Sequence, residues 1–214
     1  MTNRNRQILA LTLNVLIFAL EIIGMILSFI EYGDGSFEYY TQDSNYLATI
    51  ASAVFIPFAI MALCGKKPMP RWVVSLRHMA TACLALTFFV VLFVLIPMDG
   101  LSSLPWMLFS GPNLYHHFLC PLLAMLSFIA FETEPALSKR CVLTGMTPTL
   151  LYAIVIIILN IAKLLVGPYP FLHIYEQPWY MSIVWIAVIL GMATLLAWLL
   201  WLLNRAVGKR RGKA

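Results

Sequence analysis

Charged residues are scarce in this chain of 214 residues. Only 11% of the residues are charged, whereas 62% are hydrophobic. A soluble globular domain has about 25% charged and about 45–50% apolar residues. The composition therefore excludes an ordinary soluble domain and indicates an integral membrane protein of one compact unit. The net charge of +5 does not indicate a nucleic-acid partner, because the basic residues lie in short loops and tails.

Several familiar catalytic motifs are also missing. The sequence contains no glycine-rich phosphate loop, no HExxH, no GxSxG and no CxxC pair. These absences argue against a metalloprotease, a kinase and a serine lipase. The cysteines do not form spaced pairs, so we expect no disulfide framework, no metal site and no cofactor. They are Cys64, Cys83, Cys120 and Cys141.

What the chain does contain is long apolar runs. A membrane-spanning helix needs about 20 mostly apolar residues, and six stretches qualify. They are Ile8–Ile30, Ser44–Cys64, Arg71–Pro97, Pro112–Phe131, Thr147–Val166 and Trp179–Leu203. The first is longer than the roughly 7–15 apolar residues of a signal peptide. We predict an all-α fold in which residues 1–214 form a single domain of six transmembrane helices.

The distribution of basic residues predicts the orientation. Lysine and arginine occur at the N-terminus, in the second and fourth loops and at the C-terminus. The other three loops have acidic residues instead, and only Lys163 approaches them. By the positive-inside rule, both termini are predicted to be cytoplasmic. The basic residues on that side are Arg4, Arg6, Lys66, Lys67, Arg71, Arg77, Lys139, Arg140, Arg205, Lys209, Arg210, Arg211 and Lys213.

Polar and aromatic segments collect on the opposite side. These are "FEYYTQDSNYL" before the second span, "GPNLYHHFLCP" at the start of the fourth, and "GPYPFLHIYEQPWY" between the fifth and sixth. In the first segment, Thr41 and Asn45 are spaced to share a helix face. In the second, Pro121 cannot donate a hydrogen bond to the carbonyl of His117, so we expect a kink there.

A threonine hydroxyl beside a neutral histidine can act as a nucleophile, because the histidine can take its proton. Thr41 with His116 or His117 is therefore a candidate pair. The alternative is structural. Threonine and asparagine often cap helices, and Tyr39 and Tyr40 are typical of an aromatic belt at a membrane surface.

Glu21 is the other unusual residue, since it lies near the middle of the first span. A carboxylate at that depth costs about 2.5–3.5 kcal/mol on insertion scales and is a functional candidate by default. Asn14, seven residues earlier, points the same way. The alternative is that Glu21 joins the first helix to a neighbour, with Asn160 as one partner.

Other ionisable residues are expected to have simpler roles. Glu132 and Glu134 follow the fourth span and precede Lys139 and Arg140. We interpret them as a solvated helix end that can include a structural ion pair with these basic residues. His78 is expected to lie at the membrane interface.

Three of these segments together resemble one family. "FEYYTQDSN", "HFLCP" and "GPYPFL" are similar to motifs of the Pr6Pr-type bacterial integral membrane proteins, in the same six-span order. Those proteins resemble the animal FAR-17a-like, androgen-induced membrane proteins, which are threonine hydrolases of fatty acid esters of hydroxy fatty acids. The resemblance implies a multi-pass protein of the bacterial plasma membrane.

The resemblance also implies a mechanism. The family threonine corresponds to Thr41, and its histidine to His117 or, on the animal pattern, to His116. The expected function is a lipid-ester hydrolase near the outer leaflet, with membrane lipids or fatty acyl esters as partners. Asn45, His116 or Tyr40 would stabilise the oxyanion, and Glu21 would be structural.

The competing hypothesis is a small transporter or lipid-binding protein without catalysis. In that case Glu21, Asn14, Asn160 and the kink at Pro121 would line a path through the middle of the membrane. The inner halves of the fifth and sixth spans have few polar residues, which favours the hydrolase.

Overall fold

The computed structural model describes residues 2–211. These residues form helices joined by short loops, and no β-strand occurs among them. The helices are α1 (Asn3–Tyr32), α2 (Tyr40–Leu63), α3 (Arg71–Asp99), α4 (Leu104–Phe109), α5 (Leu114–Ala130), α6 (Cys141–Ile161) and α7 (Trp179–Arg211). Lys213, one of the basic C-terminal residues, lies outside the described residues.

Five of the described helices are long and apolar enough to cross a membrane, and the number rises to six if one bent pair counts as a single span. The bent pair joins Leu101–Phe109 to Leu114–Ala130 at an angle of 95°. This arrangement confirms the all-helical prediction and is consistent with a multi-pass membrane protein. Large apolar side chains such as Phe29, Ile50 and Ile158 are exposed on the outside of the bundle, as expected for a surface that faces lipid.

Helix α3 lies at the centre of the bundle. In its most apolar window 61% of the residues are buried, compared with 17–33% in the other four long helices. The start of α1 and the end of α7 lie at one end of the bundle with the loop 131–140, which we call the termini end. The opposite end, with residues 33–39, 100–113 and 162–178, is called the loop end.

Helix α6 does not follow the predicted boundaries of the fifth span. It begins at Cys141 and ends at Ile161, whereas the hydropathy predicted Thr147–Val166. Lys163 has a positive φ of 57°, a conformation that cannot continue a right-handed helix. The apolar residues 164–166 therefore belong to the following loop.

The predicted kink at Pro121 takes another form. The sharp bend lies at residues 110–113, ahead of α5. The first part of α5, Leu114–Leu119, is a π-helix that precedes the regular turns Cys120–Ala130. Such π-helical turns are often found at functional sites, and this one includes His116 and His117.

Candidate active site

Thr41 lies in the first turn of α2, at the loop end of the bundle. The side chain is 8% exposed. Its hydroxyl oxygen is 3.3 Å from Nε2 of His117. The first N–H groups of a helix have no partner within the helix, and the Thr41 N–H donates to the hydroxyl oxygen of Tyr169 at 3.3 Å.

The proton on His117 is fixed by a backbone carbonyl. Nδ1 of His117 is 2.7 Å from the carbonyl oxygen of Met107. A carbonyl can only accept a hydrogen bond, so in neutral His117 the proton is on Nδ1 and Nε2 has a free lone pair. Nε2 therefore faces the Thr41 hydroxyl as an acceptor, which is the geometry required of a general base.

The bend before α5 explains how Met107 reaches His117. Helix α4 ends at Phe109, and the carbonyls in the last turn of a helix have no partner within it. The 95° bend sets α4 nearly perpendicular to α5. In this arrangement the Met107 carbonyl contacts the imidazole ring of His117. The carbonyl thus fixes the ring orientation and would stabilise the positive charge when His117 takes a proton.

His116 faces the opposite way. Its Nε2 lies 3.9 Å from a carboxylate oxygen of Glu21, on the α1 side of the helix. Gly24 makes this placement possible, because a Cβ atom there would lie 2.5 Å from His116 Nε2. The geometry therefore pairs Thr41 with His117 and gives His116 a separate environment.

The other expected supporting residues do not contact the Thr41 hydroxyl. The Asn45 amide donates to the Thr41 backbone carbonyl at 2.6 Å, which stabilises the first turn of α2. The Tyr40 hydroxyl bonds Thr149 of α6 at 2.7 Å. Asn45 and Tyr40 thus position the helix and are not placed to donate to an oxyanion at Thr41.

Tyr169 contacts the Thr41 hydroxyl instead, although it was not predicted as a site residue. Its hydroxyl oxygen is 3.4 Å from the Thr41 hydroxyl oxygen. The ring stacks on Phe171 and meets Tyr39 edge-on, with centroid distances of 5.2 and 6.0 Å. Burial raises the pKa of Tyr169 to about 12, so the phenol remains a proton-bearing donor at neutral pH. The sequence signal that could have identified Tyr169 is the segment "GPYPFL", which contains it.

Two cavities meet at Thr41 and Tyr169. One, of about 630 Å³, opens at the loop end and has polar lining residues including Asn113 and His117. The other is a narrow apolar cavity of about 100 Å³ between α3, α6 and α7. It is lined by residues such as Leu86, Ile157, Trp185, Ile186 and Ile189. The threonine hydroxyl thus lies where a polar space and an apolar space join.

Glu132 is not solvated, contrary to the sequence-based interpretation. Its side chain is fully buried and pairs with Arg77 through two hydrogen bonds of 3.1 and 3.2 Å. Asn14 and Ser127 donate to the same carboxylate at 2.9 and 2.7 Å. Hydropathy placed Glu132 at a helix end, but it could not show that Arg77 reaches it from α3.

Glu134 and His78 also differ from expectation. Glu134 is exposed, as predicted, but it pairs with Arg6 at 3.0 Å, not with the basic residues that follow it. His78 is fully buried, and its Nε2 is 2.9 Å from the Ala197 carbonyl oxygen. It therefore joins α3 to α7 inside the bundle and does not lie at the interface.

Glu21 has no contact with the partner suggested for it. Asn160 donates to the Leu172 carbonyl at 2.9 Å in the loop end, and Asn14 is bonded to Glu132. The Glu21 carboxylate is fully buried, and its polar neighbours include the Cys120 thiol and the imidazole of His116. Across the same residues, no group of three or more histidine, cysteine or acidic side chains could hold a metal ion.

Comparison with known proteins gives no match: no family model fits the chain, and no curated protein or solved structure is similar to it.

Proposed function

We propose that the chain is an intramembrane lipid-ester hydrolase of the Pr6Pr type, with Thr41 as nucleophile and His117 as base. One observation supports this above all: the Thr41 hydroxyl, His117 and the Met107 carbonyl are aligned where a polar and an apolar cavity join. A structural cap does not need an imidazole held in one tautomer beside its hydroxyl.

The proposed reaction has two steps. As the Thr41 oxygen attacks the ester carbonyl carbon, its proton moves to Nε2 of His117. Tyr169 donates a hydrogen bond to the oxyanion that forms. The ester C–O bond then breaks, the leaving alkoxide takes the proton from His117, and an acyl-threonine remains. In the second step His117 deprotonates water, which attacks the acyl carbon. The bond between that carbon and the Thr41 oxygen then breaks, His117 returns the proton to the Thr41 oxygen, and the fatty acid leaves.

The two cavities suggest how a lipid ester would bind. The acyl chain would occupy the apolar cavity, where burial contributes about 0.8 kcal/mol per methylene. The alcohol part, and the attacking water, would occupy the polar cavity. The ester carbon would then lie at the junction beside Thr41.

We also propose a location and an orientation for the chain in the membrane. The chain would lie in the bacterial plasma membrane, with the termini end in the cytoplasm and the loop end outside. Single cysteines at Gly35 and Lys66, in a Cys64→Ser background, test this with a membrane-impermeant thiol reagent on intact cells. We expect labelling at position 35 only; labelling at position 66 only would reverse the orientation.

Labelling with a fluorophosphonate and hydrolysis of 4-nitrophenyl acyl esters test the function itself. Thr41→Ala should abolish both, while Thr41→Ser should retain part of the activity because it keeps the hydroxyl. Thr147→Ala is the matched control, since that exposed hydroxyl of α6 donates to the Leu143 carbonyl at 3.0 Å and lines neither cavity. If Thr41→Ala hydrolyses esters as fast as the wild type, the proposal is wrong.

A transporter or lipid-binding protein is the second candidate. The observation in its favour is the buried pair of Glu21 and His116, because neither ring nitrogen of His116 has a hydrogen-bond partner within the described range. Against it, Arg77 and Glu132 form a fully buried ion pair at the termini end, where a path across the bundle would need an opening.

A further inference from the structure

A third cavity, of distinct chemistry, lies at the termini end. It has a volume of about 800 Å³ and lies where α3 and α6 begin and α7 approaches its end, beside the loop 131–140. It is far along the bundle from Thr41 and shares no lining residue with the two cavities of the candidate active site.

Four cations line this cavity, which we call the basic pocket: Arg71, Arg140, Arg205 and Lys209. Glu134 is its one acidic lining residue, and that carboxylate is paired with Arg6 at 3.0 Å. None of the four cations forms an ion pair within the part of the chain that the structure describes. The basic pocket therefore has an uncompensated positive charge.

The walls of the basic pocket are held in place by hydrogen bonds. Trp201 donates to the Leu137 carbonyl at 3.1 Å. The Asn204 amide donates to the carbonyls of Phe128 and Glu132 at 2.7 and 3.1 Å. These bonds fix the loop 131–140 against α7. The Arg205 guanidinium lies 5.4 Å from the centre of the Trp201 ring, a cation–π contact that limits its motion.

The pocket also has an apolar edge. Trp72 is 56% exposed and packs edge-on against Phe58, with ring centroids 5.4 Å apart. Tryptophan is enriched at the level of the lipid headgroups, where one side of the ring is apolar and the other is polar. A ligand in this pocket would thus meet cations on one side and an interfacial tryptophan on the other.

We propose that the basic pocket binds the phosphate headgroup of an anionic phospholipid. Arginine donates two parallel hydrogen bonds to phosphate oxygens, and such charge-assisted bonds are the strongest of their kind. Basic pockets between spanning helices on the cytoplasmic side bind anionic headgroups in this way. A lipid is favoured over a soluble anion because Trp72 and the apolar helix surfaces extend the pocket toward the acyl chains. The site is independent of the proposed hydrolase.

The test uses the full chain purified in neutral detergent. Phosphatidylglycerol is added, with phosphatidylcholine and inorganic phosphate as comparison ligands, and binding is followed by native mass spectrometry and by the melting temperature. Phosphatidylglycerol should bind and raise the melting temperature, and the other two should not. The double variant Arg140→Gln/Arg205→Gln should bind phosphatidylglycerol roughly 30-fold more weakly, given the usual contribution of each cation near an anionic lipid.

Lys66→Gln/Lys67→Gln is the matched control, since it removes the same charge from the same end outside the pocket. It should bind phosphatidylglycerol like the wild type. If both double variants lose affinity equally, the attraction is general to this end and the pocket proposal is wrong. The proposal also fails if inorganic phosphate alone stabilises the protein as much as phosphatidylglycerol does.

Discussion

The loop end and the termini end of the bundle both bury polar side chains, but they bond them differently. At the termini end, Glu132 accepts hydrogen bonds of 2.7–3.2 Å from Arg77, Asn14 and Ser127. At the loop end, the Thr41 hydroxyl has two contacts, of 3.3 and 3.4 Å, beside two cavities. Short bonds in a closed network hold helices together, whereas long contacts beside a cavity can be exchanged for bonds to a substrate.

The largest effect should come from the base at the loop end. His117→Ala should lower kcat for ester hydrolysis by about 10²–10⁴-fold, the usual contribution of a general base. His116→Ala should lower it far less, because that ring faces Glu21 and not Thr41. Steady-state kinetics and melting temperatures of both purified variants check this. Equal losses at equal stability would contradict the assignment of His117.

At the termini end, we expect substitutions to lower the stability of the protein and not to act on the ester hydrolysis itself. Glu132→Ala leaves Arg77 buried without its partner, and breaking such a pair typically costs about 3–5 kcal/mol. Chemical denaturation of the purified protein measures this cost. Glu134→Ala is the control, because its ion pair with Arg6 involves an exposed carboxylate. If Glu132→Ala is as stable as the control, the network does not hold the helices together.

A third prediction concerns the donor at the loop end. Tyr169→Phe removes one hydroxyl but keeps the ring against Phe171, so the fold should be retained. Loss of an oxyanion donor lowers kcat by about 10²-fold or more. Tyr152→Phe is the control: that hydroxyl donates to the Glu38 carbonyl at 2.8 Å and does not reach Thr41. Similar kinetics for the two variants would exclude Tyr169 from the reaction.

The sequence predicted the helices better than the contacts between them. Apolar runs define spans by their length alone, so hydropathy predicted the five long apolar helices of the structure and, if the bent pair counts as one span, the sixth. The bond between Arg77 and Glu132 joins residues 55 positions apart and leaves no local pattern. The same holds for Tyr169, whose place beside Thr41 depends on how the loop 162–178 folds back over the bundle.

The choice between the two histidines shows where sequence spacing fails. Counting back from Pro121 on a regular helix cannot tell which ring faces α2, because the residues 114–119 form a π-helix. A π-helix changes the angle between successive side chains. The direction of each ring is set by contacts outside α5, namely the Met107 carbonyl for His117 and the space left by Gly24 for His116.

The smallest effect is expected at Glu21, which lies between the two ends. Glu21→Gln keeps the size and shape of the side chain and removes only its ability to ionise. The carboxylate lies beside the Cys120 thiol, and His116 Nε2 at 3.9 Å is beyond hydrogen-bonding distance. The substitution should therefore change the free energy of unfolding by no more than about 1.5 kcal/mol, the net contribution of one hydrogen bond. Ester hydrolysis and fluorophosphonate labelling of Thr41 should remain close to wild type, as they should in the exposed control Glu134→Gln.

A folded Glu21→Gln protein that has lost hydrolysis would instead place the buried carboxyl in the mechanism. If that protein transported or bound a substrate differently while Thr41→Ala had no effect, the path through Glu21 would become the better account.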